Sequence, residues 1–349
     1  MAIPDEIHAN IIDLMTDLMR AEVGVRQDVL KMLEKLGNEL VKEVFTAGLD
    51  TRRTDWQKAR LRELINQVQD LTKTAFQEIG SDAEQKLHTM VEVTSDGVAS
   101  AVNEAVGAPL VQSMNWTPAL LKKLASDTLV QGAPAEEWWS RQAVSMAQGF
   151  ADQMRQGIAR GESLGQLTAR VRPIVEVSRR EAIALVRTTA MATVNAAAQE
   201  TYKSNDAIIQ GLTWCATLDP RTCVSCAALD FKQWLFSEDH PDPPLHWNCR
   251  CCMLPWLKAW ADLAREHGGD VEIAKKLDKI KPGQRAAMDG PVAGDTDYDT
   301  WFRSLTKERQ LEILGPGRYQ MWKDNKLSFS DMVDKSGNPM TLADLRAKY

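Results

Sequence analysis

Apolar residues at Ile7, Ile11, Leu14, Leu18, Ala21 and Val25 alternate steps of four and three, the spacing of a helix that packs along a narrow seam. The register then slips by one. Val29, Met32, Leu36 and Leu40 carry the stripe to Gly48, and Asp50-Thr51 supplies a stop and a new N-cap. A second run repeats the pattern at Leu61, Leu64, Val68, Leu71 and Ala75. Together the two runs predict a long N-terminal helical hairpin or bundle. Core packing within one chain and an oligomeric coiled-coil contact both need such a seam, so the periodicity leaves those two open.

Small residues and valines between Ser81 and Gly107, punctuated by Gly97 and Gly107, predict more helix. Asn115-Trp116-Thr117-Pro118 reads as a helix start, with Thr117 as N-cap and Pro118 at the first helical position. Another helix begins near Ala135 and takes in Trp138-Trp139. A short helix from Ser163 ends in a turn at Pro173, and Ser178 then caps a helix running to about Ser204. The small side chains of that helix, at Ala182, Ala190, Ala192, Ala196 and Ala197, admit a closely packed neighbour. Ile208 to Thr217 reads as a strand from its apolar and β-branched content. From Gly283 to Asp299 the breakers Gly290-Pro291 and Gly294-Asp295 predict a linker or arm. Beyond it, short helical pieces surround Trp301-Phe302, Leu311 and Trp322, separated by Gly315-Pro316-Gly317 and Gly337-Asn338-Pro339.

The fold class expected is mainly α with a small α+β zinc-knuckle module, a long N-terminal hairpin or bundle and an extended C-terminal arm. The boundaries expected are a helical arm over 1–130, a module with the Cys/His site over 131–260, a linker over 261–297 and a Trp-containing tail over 298–349. A hydrophobic share of 44% beside 26% charged residues argues for folded domains rather than disorder throughout. The formal charge of −6 is spread over alternating acids and bases, which disfavours duplex binding by the isolated monomer. No basic n-region with an apolar h-region follows Met1 and no run of about 18 apolar residues occurs, so neither a signal peptide nor a membrane span is expected.

All six cysteines, Cys215, Cys223, Cys226, Cys249, Cys251 and Cys252, fall in one short stretch, which suits local metal binding better than a disulfide scaffold. Cys223-Val224-Ser225-Cys226 presents two thiolates on a tight turn, and His246-Trp247-Asn248-Cys249 adds a second pair roughly 20 residues later, a spacing usual for structural zinc. The predicted ligands are Cys223, Cys226, His246 and Cys249, with Cys251 as alternate for His246; Cys215 and Cys252 have no assigned role. Four ligands close the coordination shell, so catalysis is not expected. An alternative is a zinc-stabilised, nuclease-like protein that processes nucleic acid through Asp239 and His240. No Gly-rich phosphate loop, GxSxG or HExxH occurs.

Several segments occur in order with compatible separations: Arg187-Thr188-Thr189, Asn195, Trp214 to Asp219, Arg221-Thr222-Cys223-Val224-Ser225-Cys226, and Pro243-Pro244-Leu245-His246-Trp247-Asn248-Cys249-Arg250-Cys251. Over roughly Trp138 to Trp256 the chain resembles the minor head protein family of tailed bacteriophages, typified by the Mu F protein and often labelled phage head morphogenesis proteins. Thr189 stands where the family pattern often has an acid, and Phe231 where it often has a glycine. The resemblance implies a minor head component at the portal vertex, made in the host cytoplasm and carried in the virion head, with a role in assembly, packaging or genome delivery. It implies portal protein as partner, with major capsid protein and DNA inside the head as further contacts left open, and oligomerisation in the assembly. Arg187, Asn195, Asp219 and Arg221 are its structural motif residues, with Arg187 read as pairing Asp219 because an unpaired buried arginine is costly. Trp301 and Trp322 are candidate docking anchors, since large rigid side chains dominate binding energy.

Overall fold

The computed structural model describes residues 3–49, 55–267, 270–272, 275 and 284–349. Asp50-Thr51 and Gly283, read above as a helix stop and the start of a linker, lie outside them. The chain is mainly helical: α1 (Ile3–Ala47), α2 (Asp55–Val106), α3 (Pro118–Asp127), α4 (Ala135–Ala159), α5 (Leu164–Ala169) and α6 (Val171–Lys203) precede a small sheet. No helix among the described residues is long and apolar enough to cross a membrane.

The buried seam of α1 does not slip. Ile7, Leu18, Val29 and Leu40 stand 11 residues apart, as do Ile11, Glu22, Leu33 and Val44, and all are buried. Gln57, Val68, Ile79, Met90 and Ala101 repeat the same step on α2. An 11-residue repeat advances about 3.67 residues per turn, close to the helix's own period, whereas a four-three alternation drifts off the face. Hence Glu22, Leu33, Thr72 and Phe76 are buried, while the expected Ala21 is exposed and Met32, Leu71 and Ala75 are half-buried.

Two compact units are built from these helices, one from Met19–Met90 and Thr117–Thr193, the other from Met1–Leu18, Val91–Trp116 and Val194–Tyr349. In the first, Lys86 bridges Asp28 of α1 at 2.9 Å and Asp82 of its own helix at 2.6 Å. The α4 face Trp139, Ala143, Met146, Phe150 and Met154 is buried at steps of three and four. Thr117 caps α3 by accepting the Leu120 N–H, with Pro118 in the first turn. Ser163 caps α5 in a capping box with Gln166.

Three readings of this region need correction. The long helix starts at Val171, not at a Ser178 cap, and Ser178 is buried inside it. Pro173 opens no turn, because it occupies the first turn of α6, where its missing N–H would have had no helical partner. Arg187 pairs Glu22, at 3.4 Å, rather than Asp219. Glu22 sits on the apolar seam with 6% of its side chain exposed, and burial pushes its carboxyl up against the opposing pull of Arg26 and Arg187.

The second unit holds the sheet, in the order β2-β1-β3, with β1 (Ile209–Cys215) antiparallel to both β2 (Gln233–Leu235) and β3 (Cys252–Leu257). Gly211 is demanded here: a Cβ on it would lie 2.1 Å from the Trp234 carbonyl oxygen. Between β1 and β2 lies α7 (Val224–Leu229), and α8 (Trp260–His267) follows β3. Within the stretch read as a linker, β4 (Gln284–Arg285) pairs β5 (Val292–Ala293).

The tail over 298–349 is built of short helical pieces, as the sequence predicts, and carries a core of its own. It comprises α9 (Tyr298–Ser304), α10 (Lys307–Asn325), a 3-10 turn (Phe329–Met332) and α11 (Leu342–Lys348). The Gly315-Pro316-Gly317 breaker bends α10 at Gly315, whose φ is +68°. Trp301 and Trp322, expected as docking anchors, are 2% and 8% exposed instead. Their rings join Tyr298, Phe302, Tyr319 and Phe329 in an aromatic cluster with centroids 5.0 to 5.7 Å apart, so the chain's own tail uses them.

Candidate metal centre

The Cys/His cluster is assembled from two turns. Cys223 is the N-cap of α7, its sulfur accepting the Cys226 N–H at 3.4 Å, so one turn of helix presents both thiols together. The second turn closes through the Cys249 N–H donating to the His246 carbonyl at 3.1 Å. Asn248 takes φ +61° there, a left-handed conformation that asparagine tolerates better than most residues. His246 Nδ1 lies 3.0 Å from the Trp247 carbonyl, which leaves Nε2 to face the thiols.

Two triads result, Cys223, Cys226 and His246, and Cys226, Cys249 and Cys251; within each, the donor atoms lie within 4.8 Å of one another. Cys226 belongs to both. Its sulfur is 3.8 Å from Cys249 Sγ and 3.5 Å from His246 Nε2. A tetrahedral ion with metal–sulfur bonds of about 2.3 Å and metal–nitrogen bonds of about 2.05 Å has edges of about 3.8 and about 3.6 Å. The two separations from Cys226 are therefore those such an ion needs, the four expected ligands being divided between the two triads, and the soft sulfur and imidazole set matches a thiophilic metal. Cys226, Cys249 and Cys251 are buried; Cys223 and His246 are half-buried.

Hydrogen bonds among the donors distribute the protons of the cluster unevenly. Hydrogen bonds with Cys226 and His246 draw the Cys223 thiol down to about 4, and hydrogen bonds with Cys223 and Cys249 push His246 up to about 11. Hydrogen bonds with Cys226 and Cys251 hold Cys249 low, and those with Cys223, Cys249 and Cys251 drive Cys226 up, since several adjacent thiols cannot all ionise unless a positive charge joins them.

The framework around the cluster is a set of short polar ties. Asp219 accepts from the Arg221 N–H at 2.8 Å, from the Arg221 guanidinium at 3.3 Å and from both terminal nitrogens of Arg250. Hydrogen bonds and charge from Arg250, reinforced by Arg221, hold its carboxyl low despite burial. Asn195, 1% exposed on α6, donates to the Cys251 carbonyl at 3.2 Å and accepts the Met253 N–H at 3.0 Å, locking the exit from the cluster. Asp239 is exposed, and His240 is 3.3 Å from the Asp242 carboxylate; neither joins a candidate metal group among the described residues. Cys215 and Cys252 face each other across β1 and β3, both buried and outside the two triads.

Sequence reasoning missed the pair Asp230 and Arg285, whose side chains are 1% and 3% exposed and 2.8 Å apart. Next to it, Phe231 takes φ +59° under the Arg285 guanidinium, which lies 4.7 Å from the ring centroid. Glycine adopts that backbone freely, whereas phenylalanine does so at a steric cost.

Residues 148–254 match the family described as phage Mu protein F like protein. The matched stretch contains all five donors of the cluster, and it supports a phage head morphogenesis family and a minor head protein role. No curated protein and no solved structure matches the chain.

Proposed function

From a chain that is Mu F-like over residues 148–254, we propose a minor head protein of a tailed phage, located at the portal vertex and acting in head assembly, DNA packaging or genome delivery. Residues 131–260 act as the head-morphogenesis module, 1–130 as a helical arm, 261–297 as a linker and 298–349 as a C-terminal tail. The knuckle holds one structural zinc ion through Cys223, Cys226, Cys249 and His246, with Cys251 as the alternate ligand.

The observation that carries this reading is a coincidence of place. Both donor triads, with Cys226 at the separations of a tetrahedral edge from His246 and Cys249, fall inside the stretch that matches the family. Four protein ligands would leave no open position for substrate, so the ion supplies folding energy rather than a catalytic centre. That energy would add most where the local structure is smallest, in the six residues of α7. Asp219, Arg221, Arg250 and Asn195 then position the ligand turns, and no residue here is assigned to chemistry.

The test of the role is capture on purified portal. Immobilised portal is expected to retain the full chain, and heads from the same phage to contain it in few copies. A chain that ignores portal at micromolar concentration and is absent from purified heads would overturn the proposal.

A further inference from the structure

The tail is seated on the knuckle itself. Ser225, between the two α7 cysteines, donates its hydroxyl to the Gly337 carbonyl at 2.7 Å. Ser330 donates to the Ala228 carbonyl at 3.3 Å, and the Phe329–Met332 turn packs on α7, with Phe329 and Met332 at most 1% exposed. From the other end of the tail, the Tyr298 hydroxyl donates to the Asp219 carbonyl at 3.0 Å and the Tyr298 N–H to Asp230 at 2.7 Å. These contacts fall on α7 or on the turns that enter and leave it.

A six-residue helix does not hold its shape alone, since its few internal hydrogen bonds do not repay nucleation. Its cap is the Cys223 sulfur and its buried inward residues are Cys226, Ala227 and Ala228. Whatever fixes Cys223 and Cys226 against Cys249 and His246 therefore also fixes the seat that Ser225 and Ala228 offer to the tail.

We propose that α7 is a docking surface for the chain's own residues 298–349, set by the ion: metal at Cys223 and Cys226 latches the tail onto the knuckle, and metal loss frees it. This rests on the zinc reading above. The coupling is reciprocal, so a docked tail also raises the affinity for the ion by the same factor.

Hydrogen exchange on the full chain, followed by mass spectrometry with zinc and after chelation, tests the latch. Zinc removal is expected to cost protection in Tyr298–Tyr349 together with Val224–Leu229, while Met19–Met90 in the other unit keeps its protection. In the converse experiment, Phe329→Ala loosens the tail without touching a ligand. It is expected to bind zinc about tenfold more weakly than wild type, read by equilibrium competition with a chromophoric chelator. A zinc-binding chain whose tail stays protected after chelation would overturn the latch and leave the zinc reading intact. Equal loss of protection in Met19–Met90 would also overturn it, because the ion would then support the whole chain. A full chain that binds no zinc would overturn both.

Discussion

Asp230 lies immediately after α7 and its carboxylate accepts four hydrogen bonds. The Ala216 and Tyr298 N–H groups donate at 2.7 Å each, and Arg285 donates from Nη1 and Nη2 at 2.8 Å each. Replacing it in Asp230→Ala leaves two backbone donors without acceptor and a guanidinium, 3% exposed, without counter-charge. Removing one partner of a buried pair costs about 3–5 kcal/mol. Arg285 keeps its bonds to the Ala216 and Thr296 carbonyls, at 2.5 and 2.8 Å, which argues against the top of that range. The stranded N–H groups add to the loss, each worth about 1–3 kcal/mol if water cannot reach it. An expected destabilisation of about 4 kcal/mol follows, close to a thousandfold in the folding equilibrium. Urea unfolding followed by tryptophan fluorescence reads it, because Trp301 and Trp322 lie in the tail core that the Tyr298 contact anchors. The double variant Asp230→Ala/Arg285→Met removes the stranded charge and is expected to recover part of the loss. A single-variant loss under about 1 kcal/mol, or a double variant worse than the sum of the singles, would refute the reasoning.

Gly211→Ala forces a Cβ to within 2.1 Å of a strand carbonyl, and shifting the strand is expected to cost about 3 kcal/mol, seen as a fall in the thermal midpoint; an unchanged midpoint contradicts the close approach. Asn195→Ala strands the Cys251 carbonyl and the Met253 N–H and is expected to cost about 2–4 kcal/mol in chemical denaturation, whereas a neutral result would mean that α6 does not lock the cluster's exit. Glu22 has a folded pKa above its ordinary value, so its charged form is disfavoured in the fold; stability present below the ordinary carboxylate range is lost as pH rises through the raised value. Urea midpoints of wild type and Glu22→Gln should accordingly converge in acid and separate toward neutrality in favour of the variant, and parallel curves would refute the assignment.

What was legible in the sequence was local chemistry. Thr117-Pro118 starts a helix because an extended cap and a fixed φ are properties of those two residues, and the C-x-x-C and H-x-x-C pairs cluster because each is one turn long. The seam was legible in kind but not in phase, since a few apolar residues fit four-three alternation and an 11-residue repeat alike until Glu22 and Phe76 choose between them. Ser178 satisfies the local requirements of a cap, yet Pro173 fits the first turn of α6 and the helix begins earlier. Arg187 pairs across helices with a glutamate 165 positions away rather than with the nearest motif acid, and Asp230 and Arg285 meet across 55 positions. Neither pairing leaves a short-range trace. The tail tryptophans were ambiguous because docking and burial ask for the same residue type, and only the surrounding Tyr298, Phe302 and Phe329 decide for burial.

The central claim is that the Mu F-like module is held together by one zinc ion on the Cys/His cluster. Native mass spectrometry of the purified full chain, beside Cys226→Ser, tests it most directly, since Cys226 is common to both donor triads. The account predicts one zinc per wild-type chain and none on the variant. A folded wild-type chain free of metal after growth in zinc-replete medium, or equal zinc on both proteins, would contradict it.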